Sequence, residues 1–429
     1  MASTRLDWQP CAFGTCATLA VPVDHDDPAA GTLELAVVRV PASEQPSLGA
    51  VFVNPGGPGG SGRSFAAAFD RTGLERYDIV GWDPRGVGGS APVSCTDGAG
   101  TDAYLALDNS PDDQAEVDAL LAGSRAYAEA CRERSGVLLD HLSVQDTARD
   151  LDLLRAAVGE ERLTYYGASY GTAIGAAYAA LFGERVGRMV LDAGVEPRRP
   201  PGVPQAAGFE DALARLGPDG EARVTALLDG LDSKPLAVED RVLTQTLATA
   251  GLVTLLGGGE GTRAALLAAV AAAEAGDGSG LLGAADAANG RRPDGSYSGL
   301  VAAFTATYCA DDDVRTPALA RERWAAERAA APVFGSAMGA PWLCVGWTAA
   351  PAEPLPLPAA PGGTVVVLGE RGDPVTPYAW SQALAADLGA TLLTTPGTGH
   401  VAYGRGSTCV DAAVRGVLTG DGPPPASCP

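Results

Sequence analysis

The chain has 429 residues, 46% of them apolar, so it can bury one large core or two to three smaller ones. Its formal net charge of −22 gives a surface that repels phosphate backbones and anionic lipids, which argues against a nucleic-acid partner and a membrane partner. No apolar run approaches the roughly 18 residues of a membrane-spanning helix.

The cysteine content points to an oxidising compartment. The count of eight is even, the chain has no Cys-x-x-Cys motif, and it has three histidines, which argues against a zinc site and for disulfides or buried thiols. Closure between sequence neighbours favours one set of pairs among the roughly 105 possible pairings. These pairs are Cys11 with Cys16, Cys95 with Cys131, Cys309 with Cys344, and Cys409 with Cys428.

The amino terminus points the other way. Residues 1–25 have neither a basic start nor a continuous apolar core, so they predict no signal peptide. We expect a secreted protein whose signal peptide has been removed and in which residues 1–3 are an artificial start. The alternative is a cytoplasmic protein with eight reduced cysteines.

The opening of the chain predicts β-strands. Residues 17–23 and 32–40 are β-type runs separated by the turn cluster of residues 24–28, so we expect a hairpin. A further strand, residues 49–53, ends in residues 54–62, Asn-Pro-Gly-Gly-Pro-Gly-Gly-Ser-Gly. These glycines free backbone N–H groups and let a ligand approach closely, as an oxyanion hole requires. A flexible turn or a phosphate-binding loop is the alternative, although the endings typical of nucleotide-binding loops are absent.

Residues 77–82 have the pattern of a buried strand, and a second turn follows it, Asp-Pro-Arg-Gly-Val-Gly-Gly-Ser. Asp83 and Arg85 in this turn are expected to have a structural role, in which they could pair with each other. Further on, Ser143 and Asp146 have the spacing of a capping box, which predicts the start of a helix.

An apolar run then breaks at residues 167–171, Gly-Ala-Ser-Tyr-Gly, before an alanine-rich helical segment. This pattern predicts a strand, a sharp turn and a helix, with Ser169 at the apex. The flanking glycines remove side chains that would clash with the strand and the helix. Chance occurrence or a plain tight turn is the alternative for this pentapeptide alone.

After a sixth strand at residues 188–191, the pattern changes. Residues 197–361 predict a mainly helical insertion with no convincing strand, which ends in a proline-rich linker at residues 351–361. The helical stretches are residues 210–216, 221–231, 242–256, 262–275 and 316–331.

Strand and helix patterns resume at residues 364–368 and 391–394. We therefore predict an α/β fold with a mostly parallel, doubly wound sheet and a large helical cap inserted after the sixth core strand. The predicted domains are a first core part at residues 1–196, the cap at residues 197–361, and a second core part at residues 362–429.

A serine nucleophile needs a base, and the chain offers few. His25 lies in a turn and His141 lies far from any strand end, so each is interpreted as structural or solvated. His400 follows a strand and a glycine loop, at the sheet edge where open α/β sheets place catalytic groups. The chain order Ser169, Asp373, His400 is the order found in α/β-hydrolases.

In this arrangement the acid holds the imidazole in the correct tautomer and stabilises the imidazolium. Asp373 is the predicted acid, and Asp192 and Glu370 are the competing candidates. The oxyanion donors are predicted to be the N–H groups of Gly57 and Tyr170, one from the glycine loop and one from the residue after the nucleophile.

Five motifs together resemble the secreted tripeptidyl aminopeptidase group of α/β-hydrolases, relatives of proline iminopeptidase. They lie at residues 54–62, 83–90, 167–171, 372–377 and 399–400. The resemblance runs nearly end to end, and it implies the α/β-hydrolase fold, a serine peptidase and a helical cap over the active site. It fixes the substrate less well, since similar proteins include esterases.

In the exopeptidases of that group, acidic residues near the cap hold the substrate's α-ammonium group. A Tyr-Cys-Ala-Asp sequence resembles the family's cysteine-aspartate motif and makes Asp311 the candidate anchor, followed by Asp312, Asp313 and Glu210. Solvated cap charges are the alternative. Glu196 stands where similar peptidases usually have aspartate, which could alter the pocket depth.

The sequence thus predicts a serine exopeptidase that works through an acyl-enzyme and releases short amino-terminal peptides or single residues. An esterase, lactonase or amidase of a small metabolite is the second hypothesis, and an inactive binding protein is the third. The expected partner is a peptide or small acyl substrate. No cofactor or metal is expected, and a monomer is favoured over an oligomer.

Overall fold

The computed structural model describes residues 6–195, 202–357 and 361–429. Its strands form one nine-stranded sheet and one two-stranded hairpin. In chain order they are β1 (Gln9–Cys11), β2 (Gly14–Pro22), β3 (Thr32–Val40), β4 (Ala50–Asn54), β5 (Asp78–Trp82), β6 (Leu163–Ala168), β7 (Val186–Asp192), β8 (Leu236–Val238), β9 (Arg241–Leu243), β10 (Thr364–Glu370) and β11 (Thr391–Thr395).

The large sheet has the order β1-β2-β3-β5-β4-β6-β7-β10-β11. The pairs β1–β2, β2–β3 and β3–β5 are antiparallel, and every pair from β5 to β11 is parallel. The mostly parallel sheet that we predicted is therefore confirmed. The edge strand β1 was not predicted, because three residues are too few to show an alternating pattern.

Helices occupy the connections between these strands. In chain order they are α1 (Gly62–Ala68), α2 (Gly98–Leu105), α3 (Gln114–Ser135), α4 (Val144–Val158), α5 (Tyr170–Phe182), α6 (Val203–Ala214), α7 (Pro218–Ser233), α8 (Gln245–Gly257), α9 (Arg263–Glu274), α10 (Ser279–Asn289), α11 (Leu300–Asp311), α12 (Pro317–Ala330), α13 (Phe334–Ala337), α14 (Tyr378–Leu388) and α15 (Thr408–Thr419). The predicted capping box at the start of α4 is confirmed, with Ser143 as the N-cap and Asp146 reaching back to it.

Both faces of the parallel strands are covered. One apolar cluster joins side chains of α4, α5 and α14 to alternate strand residues such as Tyr165 and Met189. A second cluster joins side chains of α1 and α15 to the strand residues that face the opposite side of the sheet, such as Tyr166 and Val190. A strand buried on both faces reads as a continuous apolar run, which is the pattern that the sequence has here.

The chain between β7 and β10 is mainly helical and has an apolar cluster of its own, built from α6 to α10 and α13. The expectation that this region has no strand is wrong, because β8 and β9 pair as an antiparallel hairpin. Each is three residues long, too short for a strand pattern. The boundaries at residues 196/197 and 361/362 stay predictions, and residues 196–201 and 358–360 lie outside the described ranges.

Asp83 and Arg85 both have the structural role expected of them in the turn after β5, but they do not pair with each other. Arg85 is buried and makes a two-pronged contact with Asp150 of α4, through Nε at 2.8 Å and Nη2 at 2.6 Å. The Nε2 atom of His25 lies 2.9 Å from the same carboxylate, which gives this histidine a structural place. Asp83 instead accepts from the Ser61 hydroxyl at 2.6 Å and so ties the end of the glycine loop to the turn.

Disulfides join Cys11 to Cys16, Cys95 to Cys131, Cys309 to Cys344, and Cys409 to Cys428, the same pairs that proximity in the sequence favours. None of the helices in the described parts of the chain has the length and apolar character needed to cross a bilayer.

Candidate active site

The predicted catalytic residues follow neighbouring parallel strands. Ser169 comes directly after β6, Asp373 lies three residues after β10, and His400 follows β11. The strands β6, β7, β10 and β11 are consecutive in the sheet. Because parallel strands end at the same edge of a sheet, the Ser169 hydroxyl, the Asp373 carboxylate and the His400 imidazole all lie at one edge.

Ser169 occupies a strained turn. Its φ of 56° and ψ of −125° lie outside the regions that an L-residue prefers, as a nucleophile elbow requires. A Cβ atom on Gly167 would lie 2.4 Å from the Gly171 carbonyl oxygen, so only glycine fits where the strand and the helix cross. The turn is pinned by the Ser169 N–H, which donates to the Asp192 carbonyl at 2.9 Å.

The glycine loop lies against this turn. Gly56 has a φ of 84°, and a Cβ atom there would come within 2.6 Å of the Tyr170 nitrogen. The Asn54 side chain accepts from the Gly56 N–H at 2.8 Å and shapes the loop. Gly57 and Tyr170, the predicted oxyanion donors, line one cavity together with Ser169.

The acid and the base are in contact. The Nδ1 atom of His400 lies 2.9 Å from Asp373 Oδ2, and the carboxylate is almost fully buried, whereas the imidazole is 19% exposed. Of the competing acids, Asp192 contacts the chain after His400 instead of its ring, and Glu370 has no side-chain hydrogen bond with it among the described contacts. An ionised Asp373 in this position would keep the imidazole proton on Nδ1 and leave Nε2 free to accept a proton.

Thr376 is a further residue of the site, which the sequence did not single out. Its hydroxyl donates to Asp373 Oδ2 at 2.8 Å and lies 3.3 Å from His400 Nδ1, so it contacts both partners of the acid–base pair. Its N–H also donates to Asp373 Oδ1 at 3.0 Å. The residue belongs to the motif Gly-Asp-Pro-Val-Thr-Pro, but nothing in the sequence distinguishes a threonine that orients the acid from one that caps a turn.

We expect Thr376→Val to lower kcat by about ten- to a hundred-fold, because a hydrogen bond to a charged group contributes roughly 1.5–3 kcal/mol. Valine has nearly the same shape, so the fold and KM should change little. Thr376→Ser keeps the hydroxyl and should retain most of the activity. Steady-state turnover of an aryl ester measures kcat, and equal kcat values for the two variants would contradict this role.

The cavity that Ser169 lines is large, about 660 Å³. Much of its wall is apolar and includes Leu105, Leu107, Met338 and Trp342. Its charged side chains, within the described part of the lining, are all carboxylates. They belong to Asp311, Asp312, Asp313 and Glu353.

Asp311 stands out among these carboxylates. It is the last residue of α11, and its carboxylate accepts from the Tyr170 hydroxyl at 2.9 Å and from the N–H of Val144 at 3.2 Å. No described residue forms an ion pair with it, whereas Arg323 contacts both Asp312, at 3.5 Å, and Asp313, at 2.5 Å. Among the described residues, Asp311 and the exposed Glu353 are thus the two carboxylates of the cavity lining without an ion-pair partner, and of these Asp311 contacts the residue next to Ser169.

Burial raises the pKa of Asp311 to about 7, because the charged form loses its hydration. The Val144 N–H and the Tyr170 hydroxyl partly oppose this shift, and the nearby carboxylates of Asp146 and Asp312 add to it. A cationic group that binds beside Asp311 would favour the ionised carboxylate.

The other predicted substrate-binding residues are placed differently. Glu210 accepts from the N–H groups of Val333 and Phe334, at 3.3 Å and 3.2 Å, and so caps α13 outside the described cavity lining. We expected the Glu210 carboxylate near the substrate, whereas in the structure it caps a helix. Glu196 lies outside the described residues. In the described ranges, no cluster of His, Cys, Asp and Glu side chains has an arrangement that could hold a metal ion.

Comparison with known families gives two matches. Residues 49–233 match a family described as alpha/beta hydrolase fold, and residues 331–428 match a family described as TAP-like protein. Together the matches contain the glycine loop, the Ser169 turn and the segments with Asp373 and His400.

Comparison with known proteins gives relatives along nearly the full length of the chain and others along about half of it. Carboxylesterase B of Mycobacterium tuberculosis H37Rv is 38% identical, over 96% of this chain and 85% of that protein. Serine protease Hip1 of the same organism is 32% identical, over 98% of this chain and 90% of that protein. Tripeptidyl aminopeptidase of Streptomyces lividans is 42% identical, over 46% of this chain and 40% of that protein.

Proposed function

Because the chain belongs to the α/β-hydrolase family and carries its TAP-like carboxyl-terminal part, we propose that it is an exopeptidase that removes short peptides or single residues from the amino terminus of its substrates. The protein is a serine hydrolase. The observation that carries the narrower assignment is the cavity around Ser169, whose described charged side chains are all carboxylates.

In the proposed mechanism, Ser169 Oγ attacks the scissile carbonyl carbon while His400 Nε2 takes its proton. The N–H groups of Gly57 and Tyr170 stabilise the oxyanion. The imidazolium, stabilised by Asp373, then gives the proton to the leaving amine. Water, activated by the same imidazole, hydrolyses the ester of the acyl-enzyme and restores the serine hydroxyl.

Charge complementarity selects the substrate end. A peptide with a free amino terminus brings an ammonium group into a cavity whose described charged side chains are all anionic. Asp311 is the proposed partner of that group, because no described residue forms an ion pair with it and its contact Tyr170 is next to Ser169 in the chain. The apolar wall would take the side chains of the first residues.

An esterase is the second candidate function, since the relative named carboxylesterase B is 38% identical over nearly the whole chain. A neutral ester needs the same nucleophile and oxyanion hole but no ammonium partner. The two functions therefore differ in their dependence on the free amine and on Asp311, not in their dependence on Ser169.

The test compares a tripeptidyl anilide with a free amine, its N-acetylated form and a simple aryl ester. Preferential cleavage of the free-amine anilide supports the exopeptidase. Equal rates with and without the acetyl group, or turnover of the ester alone, would favour the esterase. If neither peptide nor ester is cleaved, and Ser169→Ala behaves like wild type, the results would favour an inactive binding protein.

The pH dependence tests the Asp311 anchor. Protonated Asp311 cannot pair with an ammonium group, so the ratio of kcat/KM for free-amine peptide to that for ester should rise about tenfold per pH unit up to pH 7. This limb follows from the pKa of Asp311, which burial raises to about 7. Above pH ~8 the ratio should fall again, as the peptide amine loses its proton.

Asp311→Asn should abolish the rise of the peptide-to-ester kcat/KM ratio below pH 7 and should lower that ratio at pH 7.5. Asp313→Asn is the matched control, because it removes a carboxylate of the same cavity that already contacts Arg323. Asp313→Asn should leave the rise of this ratio with pH unchanged. If both variants behave alike, Asp311 has no special role in substrate binding.

We also propose that the protein works outside the cytoplasm and as a monomer. Four disulfides favour an oxidising compartment. Every residue of the proposed mechanism comes from one chain, so the mechanism requires no second copy.

A further inference from the structure

The carboxylate of Asp192 has no place in the mechanism above, although it lies at the same sheet edge. It is the last residue of β7, between the strands that precede Ser169 and Asp373, and it is 1% exposed. Burying a carboxylate at this depth is costly unless its oxygens are hydrogen-bonded. The hydrogen-bond partners of this carboxylate therefore indicate its role.

Those partners belong mainly to the chain that follows His400. The Tyr403 N–H donates to Asp192 Oδ2 at 2.9 Å, and the Ala402 N–H lies 3.1 Å from Oδ1 and 3.2 Å from Oδ2. The Tyr166 hydroxyl donates to Oδ2 at 2.8 Å and anchors the carboxylate to β6. The carboxylate thus links the core of the sheet to the backbone just beyond the catalytic histidine.

The backbone between these contacts is in a costly conformation. Val401 has a φ of 70°, and a β-branched residue with positive φ is a genuine outlier. Such a conformation persists only where the surroundings over-determine it. Asp192 provides that constraint on the carboxyl-terminal side, and on the other side the His400 N–H donates to the Gly257 carbonyl at 2.8 Å.

We propose that Asp192 is a positioning residue that acts through Val401 and holds the His400 imidazole on Asp373. Loss of the carboxylate frees the Ala402 and Tyr403 N–H groups, Val401 relaxes to negative φ, and the imidazole turns away from its working position. A displacement of about 1 Å can cost about a hundred-fold in rate, which is the loss expected for Asp192→Ala. The effect should fall on kcat, with KM nearly unchanged, because Asp192 is absent from the described cavity lining.

The test separates positioning from general destabilisation. Asp152→Ala removes another buried carboxylate, which contacts Arg155 and the Tyr178 hydroxyl away from the site, and it should lower Tm without lowering kcat. Asp192→Asn keeps one acceptor oxygen and should recover part of the activity that Asp192→Ala loses. Proton NMR adds a direct readout, since the downfield His400 Nδ1–H signal should weaken or shift in Asp192→Ala alone.

A double mutant makes the test independent of how well Asp192→Ala folds. Glycine accepts positive φ without cost, so adding Val401→Gly to Asp192→Asn should raise kcat, whereas Val401→Gly alone should leave kcat unchanged or lower it. Additive effects of the two substitutions on kcat would overturn the proposal. So would an Asp192→Ala protein with wild-type kcat and an unchanged downfield proton signal.

Discussion

Ser169→Ala is expected to lower kcat for peptide and ester substrates about a million-fold, the scale seen when a serine hydrolase loses its nucleophile. The Ser169 hydroxyl is the atom that forms the acyl-enzyme, and no other described group takes over that bond. The fold should survive, because alanine has the same backbone cost as serine at a φ of 56°. Circular dichroism and the Tm should therefore match wild type.

Substrate binding separates loss of chemistry from loss of the site. Isothermal titration with a free-amine tripeptide should give a similar Kd for Ser169→Ala and wild type. Ser64→Ala, which changes an exposed serine on α1, is the matched control and should keep full activity and full labelling by a fluorophosphonate. If Ser169→Ala is still labelled or still turns over the ester at more than trace levels, the nucleophile is another residue.

The parallel part of the fold was predictable because its signals are local. Strands buried on both faces appear as short apolar runs, and glycine-rich turns mark their carboxyl ends. Ser169 was found directly after such a run, and His400 was found after a run and the glycine loop that follows it. Local closure of the chain also gave the cysteine pairs.

Contacts between distant parts of the chain were harder to predict from the sequence. Arg85 pairs with Asp150, 65 residues away, and nothing in the turn itself indicates a partner on α4. Asp83 and Arg85 are close in sequence, but the turn directs one side chain to the glycine loop and the other to the helix. Proximity in the sequence made a pair between them possible, but the geometry of the turn separates their side chains.

The substrate side of the site shows the same limit. α11 was not predicted, because residues 300–311 are apolar on all sides and show no helical periodicity. A resemblance brought Asp311 forward, but only packing shows that its carboxylate meets Tyr170. Glu210 was a lower-ranked candidate, and in the structure its carboxylate accepts from two backbone N–H groups of another segment, outside the described cavity lining.

Asp373→Asn is expected to lower kcat about ten-thousand-fold, the loss known for this change in a serine hydrolase triad. The structure gives the reason. Oδ1 accepts the N–H groups of Val375 and Thr376, at 2.8 Å and 3.0 Å, so an asparagine would keep its oxygen there. Its amide nitrogen would then replace Oδ2 and present a donor to His400 Nδ1. The imidazole would carry its proton on Nε2, where it cannot accept one from Ser169.

The control is Glu370→Gln, which neutralises one of the two competing candidate acids, the last residue of β10. It should keep most of the wild-type kcat, with KM unchanged in both variants, because neither carboxylate is among the described residues of the cavity lining. Single-turnover acylation with an aryl ester measures the step that needs the base. A large loss in Glu370→Gln with a small loss in Asp373→Asn would reverse the assignment. Comparable losses in both would mean that the charge near His400 matters more than the tautomer, and that Asp373 acts as one of several carboxylates.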